Sequence, residues 1–122
     1  MLQRVLAGLI RTEGVQQAML LDERGALLAC VGSEGRTPPI DQAVSTVKMA
    51  TELCTSLDLG NLYEVWCEGN DRMMIDIACP ERIVVLSGQG GRLARWRHAL
   101  DRNRRIIAVS YTHLTLPTTG VV

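Results

Sequence analysis

Apolar residues recur along the chain with two different periods, which separate helical stretches from extended ones. Near the start they fall three or four positions apart, as on one face of an amphipathic helix. The members of this stripe are Leu2, Val5, Leu6, Leu9 and Ile10. We expect this helix to end at Gly14, because glycine tolerates the left-handed conformation that often follows a helix. A last helix is predicted after Gly91, where Leu93, Trp96, Leu100 and Ile107 repeat at helical spacing.

Five shorter segments have the period of two, or the continuous apolar character, that is typical of β-strands. They are residues 15–21, 26–31, 62–68, 72–79 and 83–86. The first two are joined by Asp22-Glu23-Arg24-Gly25, a hairpin turn in which Asp bonds the backbone and Gly supplies a positive φ. Residues 18–21 and 83–86 are apolar on both faces, which predicts central strands covered on both sides.

The helix in the middle of the chain carries more apolar surface than one sheet needs. It is predicted to begin at Thr37-Pro38-Pro39, with Thr37 as the N-cap, and to run to about Leu57. One stripe is expected to face the sheet: Ile40, Ala43, Val44, Val47, Ala50, Cys54 and Leu57. Met49 and Leu53 widen this stripe sideways, which indicates a second apolar contact.

Composition limits the class of protein. With 122 residues, 47 % hydrophobic and 21 % charged, the chain is expected to form one globular domain. Thirteen basic and thirteen acidic residues give a net charge of zero, which argues against nucleic acid as the main partner. Residues 92–105 hold six arginines and one acid, so this segment carries +5 and the remainder −5. Residues 1–107 are expected to carry the fold, and residues 108–122, which lack charge and periodicity, to be a non-native or disordered tail.

No motif in the sequence predicts catalysis. The four cysteines (30, 54, 67 and 79) are too widely spaced for a zinc site, and we expect core thiols, no metal and no cofactor. Gly88-Gln89-Gly90-Gly91 joins a strand to a helix, where phosphates bind, but Leu93 replaces the third glycine of a dinucleotide motif, so a tight connection is favoured. His98 has no triad partner at a recognisable spacing. No leader peptide and no apolar run of bilayer length is recognisable, so a cytoplasmic protein without a membrane span is expected.

The arginine-rich last helix raises the alternative of nucleic-acid binding. Aromatic side chains that could stack on bases are nearly absent from it, and no nucleic-acid-binding motif accompanies it. A solvated helix face is the favoured interpretation.

The order αββαβββα, together with a set of local motifs, resembles the roadblock/dynein light-chain family. The family pattern of a helix, then Gly-Val, an apolar strand and an Asp-x-x-Gly turn is matched by Gly14, Val15, Ala18, Leu21, Asp22, Gly25 and Ala29. The Glu68-Gly69 turn and the apolar strand before the last helix also match. The resemblance covers residues 2–107, and the segment from Gly88 to Gly91 is richer in glycine than the family pattern.

The resemblance implies an α/β fold with a five-stranded antiparallel sheet in the order 2-1-5-4-3. The middle helix would lie on one face and the terminal helices on the other. Family members dimerise by pairing their third strands and packing their middle helices together. The homodimer interface implied for this chain comprises Met49, Leu53, Leu62, Tyr63, Glu64, Val65, Trp66 and Cys67.

Bacterial and archaeal members of that family regulate small Ras-like GTPases, and eukaryotic members serve as dynein subunits or scaffold pieces. The resemblance therefore implies a non-enzymatic homodimer that regulates or scaffolds a small Ras-like GTPase through protein–protein contact. The alternative is a purely structural dimerisation subunit with no effect on nucleotide turnover. A longin- or profilin-like sensory domain, which shares the architecture, would instead have a ligand pocket under the sheet. Four arginines of the last helix form a candidate partner face: Arg92, Arg95, Arg102 and Arg105.

Overall fold

A computed structural model of the chain describes residues 2–32, 35 and 37–120, with side chains described as far as residue 109. Eight elements follow one another in the order αββαβββα. They are α1 (Leu2–Ile10), β1 (Val15–Leu21), β2 (Leu27–Gly32), α2 (Ile40–Ser56), β3 (Glu64–Glu68), β4 (Arg72–Cys79), β5 (Arg82–Gly88) and α3 (Leu93–Gly120).

The five strands form one antiparallel sheet in the order β2-β1-β5-β4-β3, which confirms the predicted α/β fold. One row of paired residues crosses the whole sheet: Cys30, Met19, Val85, Ile75 and Val65. β1 and β5 lie at the centre, as their two-sided apolar runs predicted, and their middle residues are buried. β2 and β3 are the two edges.

Each face of the sheet is covered by helices and has its own hydrophobic core. α1 and α3 cover one face, where Trp96 is the largest fully buried side chain. The buried members of this core are Leu6, Leu9, Val15, Ala18, Leu20, Ala29, Met74, Val84, Leu86, Trp96, Leu100 and Ile107. The core beneath α2 is smaller, with Met19, Leu21, Ala43, Ile75, Ile83 and Val85 buried. Most of the buried apolar side chains thus lie beneath α1 and α3, and α2 covers its face of the sheet incompletely.

The hairpin that joins β1 to β2 forms as the sequence predicted. The Oδ1 atom of Asp22 accepts hydrogen bonds from the backbone N–H groups of Arg24 (2.8 Å) and Ala26 (2.9 Å). Gly25 has φ +86°, a conformation that glycine adopts without steric cost. The bond from Ala26 is the main reason why the pKa of Asp22 is lowered below its ordinary value.

The glycines that connect β5 to α3 allow close backbone packing. A Cβ atom on Gly88 would collide with the carbonyl oxygen of Gly14, and one on Gly91 with that of Glu13. The buried guanidinium of Arg72 donates to the carbonyl oxygens of Gly90 (3.1 Å) and Gly91 (3.2 Å). These contacts agree with the interpretation of this segment as a tight connection.

Several boundaries differ from the sequence expectations. β3 begins at Glu64, two residues late, although the Tyr63 carbonyl still accepts a 2.9 Å hydrogen bond from Ile77. Thr37 is not the N-cap of α2; Pro39 holds that position, without a side-chain capping bond. α3 continues to Gly120, beyond the last periodic residue. That residues 108–122 are non-native stays a prediction, and residues 121 and 122 lie outside the described part.

The cysteines do not take the core positions expected for them. All four are free thiols; Cys67 is exposed and Cys30, Cys54 and Cys79 are partly buried. Cys30 and Cys67 lie on edge strands, on the face that α2 covers incompletely, which explains why they are not enclosed.

Candidate interaction surface

α2 exposes a row of large apolar side chains instead of burying them. Of its 17 residues only Ala43 is fully buried. Met49, Leu53 and Leu57 follow one another at four-residue spacing and are 63 %, 57 % and 58 % exposed. We call these three residues the α2 apolar flank. Leu57, like Val44, was expected in the sheet-facing stripe, but both lie at the margins of the buried face.

The free edge of β3 (residues 64–68) is a second feature of this region. β3 pairs with β4 through Glu64↔Asp76 to Glu68↔Arg72, and no described strand lies on its other side. Trp66 on the strand and Tyr63 just before it are exposed. An edge with exposed aromatic side chains is a template for pairing with another strand.

The α2 apolar flank faces the side of the molecule on which β3 lies. Gln42 of α2 shares the lining of a cavity of about 470 Å³ with Cys67 of β3 and Met73 of β4. Met49 follows Gln42 by seven residues, about two helical turns, and therefore lies on the same side of the helix. The exposed apolar side chains of α2 and the unpaired strand thus share one side of the molecule.

The predicted interface residues occupy different positions on this surface. Met49, Leu53, Tyr63, Trp66 and Cys67 are exposed, as a contact surface requires. The rest of the predicted set is partly buried: Leu62, Glu64 and Val65. Along β3, Glu64 and Trp66 lie on the face covered by α3, and Val65 and Cys67 on the face covered by α2. That the eight residues form a homodimer interface stays a proposal.

A charge network behind β3 fixes the strand against α3. The buried carboxylate of Asp76 accepts two hydrogen bonds from Arg104, at 2.6 Å and 3.0 Å. Glu64 accepts hydrogen bonds from Arg97 (2.7 Å) and from the indole of Trp66 (3.0 Å). The bonds to Asp76 raise the pKa of Arg104 above its ordinary range. Glu64 and Asp76 lie opposite each other in the strand ladder, and Arg104 is close to both carboxylates. Because each carboxylate is bound by an arginine of α3, the pair holds β3 and β4 against that helix.

The arginines of α3 divide into two groups. Arg97 and Arg104 form ion pairs with Glu64, Asp76 and Asp101. The predicted partner face is exposed, and within the described residues its members form no ion pair: Arg92, Arg95, Arg102 and Arg105. His98 is exposed beside them. Part of the charge expected on the surface is therefore neutralised inside the protein.

Other chemistry has little support in the described part of the chain. No group of three or more His, Cys, Asp or Glu side chains there could hold a metal ion, and no helix is long and apolar enough to cross a membrane. A cavity of about 950 Å³ opens at the end of the sheet, between Val47 of α2, Tyr63 and Ile83.

Sequence reasoning missed two contributors to these surfaces. Leu57 belongs to the exposed flank, and its place at the margin of the helical stripe was the available signal. Arg11, from the end of α1, lines a groove together with the α3 arginines. No local pattern connects Arg11 to residues eighty positions later, because only the tertiary fold brings them together.

Comparison with known proteins identifies the fold. No family model matches the sequence, and no curated protein matches it. Solved structures do match: MglB from Myxococcus xanthus has a TM-score of 0.77 at 16 % identity, covering 90 % of this chain and 94 % of that one. An MglB with a tetrameric arrangement has a TM-score of 0.75 at 22 % identity, covering 86 % and 83 %. A roadblock/LC7 domain from Streptomyces avermitilis has a TM-score of 0.73 at 16 % identity, covering 90 % and 97 %. The chain has the roadblock/LC7 fold, which confirms the resemblance at the level of structure.

Proposed function

We propose that this chain is a non-enzymatic, homodimeric regulator or scaffold for a small Ras-like GTPase, which it binds through protein–protein contact. One observation carries the proposal: the exposed α2 apolar flank and the unpaired β3 edge lie on the same side of a roadblock fold. Such a surface is costly in a monomer, because it exposes apolar area and a strand edge together.

A second copy of the chain is the partner that fits this surface best. Two β3 edges can pair antiparallel about a twofold axis, so that each strand satisfies the free backbone groups of the other. The same axis would bring two α2 apolar flanks together. The Met49 and Leu53 side chains of both copies would then be buried. Each would contribute about 1–2 kcal/mol to the free energy of association, because each is already partly buried in its own chain.

For this domain, regulation through protein–protein contact is favoured over catalysis. The carboxylates of Glu64 on β3 and Asp76 on β4 are bound by arginines of α3, and His98 is exposed on the surface. The roadblock fold is shared with MglB structures, and the family resemblance implies GTPase regulation. A domain of this kind would act by positioning the GTPase's own catalytic groups. The four cysteines are free thiols, which is usual for proteins of the reducing cytoplasm, and this supports a cytoplasmic location.

The oligomeric state tests the first part of this proposal. Light scattering and sedimentation are expected to give a dimer at micromolar concentration. Val65→Asp combined with Trp66→Arg, on β3, should yield a monomer. Leu28→Arg, on the opposite edge strand, is the matched control and should leave the dimer intact. A wild-type monomer at micromolar concentration, or a β3 variant that dimerises normally, would refute homodimerisation through this surface.

The effect on nucleotide turnover tests the second part. The purified chain is added to a small Ras-like GTPase from the same organism, and GTP hydrolysis and nucleotide release are followed. A regulator changes at least one of the two rates, and the β3 double variant changes it less. A dimer that binds the GTPase and leaves both rates unaltered would instead be a purely structural subunit.

A further inference from the structure

A groove on the opposite side of the sheet from α2 is a second candidate interaction surface. It lies between the end of α1 and the first half of α3 and has a volume of about 610 Å³. Its lining residues are Arg11, Thr12, Glu13, Arg92, Arg95, His98, Ala99 and Arg102. We call it the arginine groove, and we propose that it binds an acidic segment of a partner protein.

The two walls of the arginine groove are fixed relative to each other. The indole N–H of the buried Trp96 donates a 2.9 Å hydrogen bond to the carbonyl oxygen of Glu13. Gly91 packs so closely on the same carbonyl that a Cβ atom there would collide with it. The ring of Trp96 is in turn covered by the guanidinium of Arg72, 4.7 Å from the ring centre. The groove is therefore built on the core of the domain.

The charge of the arginine groove is strongly unbalanced. Four arginines line it against the single carboxylate of Glu13, and within the described residues none of the four forms an ion pair. Arg97 and Arg104 lie on the other side of the same helix, and both form ion pairs with nearby carboxylates. The positive end of the α3 dipole at Leu93 adds to the potential. The groove thus offers unsatisfied guanidinium groups.

The shape and chemistry of the groove favour a carboxylate-bearing peptide over other polyanions. Arg92 and Arg102 are ten residues apart, about 15 Å along a helix, which matches four or five residues of an extended chain. Guanidinium groups bind carboxylates through paired hydrogen bonds. Among the described residues, no Phe, Tyr or Trp side chain lines the groove, so His98 is the one ring there on which a nucleic-acid base could stack. A concave groove also fits a single chain better than a flat lipid surface.

This proposal is independent of the proposed dimer. The arginine groove lies on the face covered by α1 and α3, whereas the α2 apolar flank lies on the other face. The groove would therefore stay open in a homodimer paired through β3. Its test needs no GTPase.

The test uses a fluorescently labelled hexaglutamate peptide titrated with the full-length chain and followed by anisotropy at low salt. Arg95→Glu and Arg102→Glu are each expected to weaken binding about tenfold. Arg24→Glu makes the same charge change in the exposed β1–β2 turn, outside the groove, and should weaken binding less than twofold. Thermal unfolding checks that each variant is folded, and Arg95→Gln, with a smaller loss, replaces any that is not.

Two competing probes complete the experiment: a six-nucleotide thymidine strand and vesicles containing phosphatidylserine. The proposal expects the peptide to bind more tightly than either probe. Absence of peptide binding, equal losses for Arg24→Glu and Arg95→Glu, or stronger binding of the oligonucleotide or the vesicles with the same dependence on Arg95 would each overturn it.

Discussion

Leu53→Glu is expected to convert the proposed homodimer to a monomer without weakening the fold. Leu53 lies in the middle of the α2 apolar flank and is 57 % exposed, so it adds little to the core of its own chain. Glutamate is a good helix former, and the intrinsic helix propensity of α2 should be nearly unchanged. We expect the free energy of unfolding of the monomer to change by about 0.5 kcal/mol or less.

The expected loss of association follows from the area that dimerisation would bury. Complete burial of a leucine side chain contributes about 1.5–3 kcal/mol, and a little over half of Leu53 remains to be buried. A twofold axis brings the Leu53 side chains of both copies into the interface, so the apolar loss alone is about 1.7–3.4 kcal/mol, or about 20- to 300-fold in the dissociation constant. A carboxylate at an apolar contact adds a desolvation penalty to this loss.

Sedimentation velocity over a wide range of protein concentrations gives the dissociation constant of each variant. Thr55→Glu is the matched control, because Thr55 is exposed on α2 and lies on the other side of the helix from Leu53. It should dimerise within about threefold of the wild type. The reasoning is refuted if Thr55→Glu weakens association as much as Leu53→Glu, or if Leu53→Glu has no effect on it.

Three further predictions concern stability and reactivity. Arg104→Ala should lower the free energy of unfolding by about 2–3 kcal/mol in a denaturant titration, because it leaves the buried Asp76 carboxylate without its partner. A loss below about 0.5 kcal/mol would contradict the role of this pair. Gly88→Ala should lower the free energy of unfolding by about 2–3 kcal/mol, because the added Cβ collides with backbone. Gly8→Ala on α1, where a Cβ meets nothing within 4 Å, should raise it by about 0.5–1 kcal/mol, and the opposite order would show that the β5–α3 connection is not tight. In the Leu53→Glu monomer, where the β3 edge is uncovered, Cys67 should react with a thiol reagent before Cys30. Cys67 is exposed there, whereas burial raises the pKa of the Cys30 thiol and so lowers its thiolate fraction at neutral pH. Mass spectrometry of the alkylated peptides checks the order, and faster labelling of Cys30 would contradict it.

Much of the fold could be predicted because the apolar pattern was complete wherever an element contacts a full core. β1 and β4 begin and end where the sequence predicts, and the two-sided apolar runs identified the central strands. α1 ends at Ile10, before Gly14, because residues 11–14 form a turn that leads into β1. β3 was predicted too long, because Leu62 and Tyr63 continue its apolar pattern without joining its ladder. At the edge of a sheet, periodicity does not show how far pairing extends.

The candidate surfaces could be predicted only in part, because they depend on distances between elements. The surplus width of α2 indicated an outward apolar row, but not that Leu57 belongs to it. The ion pair of Asp76 with Arg104 needs both the strand register and the position of α3, neither of which is encoded by local spacing. The α3 arginines were visible as a charged run, whereas their division into paired and unpaired groups was not.

Hydrogen exchange of the backbone amides at the two sheet edges, measured at low and high protein concentration, tests the central claim most directly. If two copies pair through β3, the amides of residues 64–68 become more protected as concentration rises, and those of β2 do not. Leu53→Glu should abolish the concentration dependence. Protection that rises at β2 instead of β3, or that is independent of concentration at both edges while the protein is a dimer, would contradict homodimerisation through this surface.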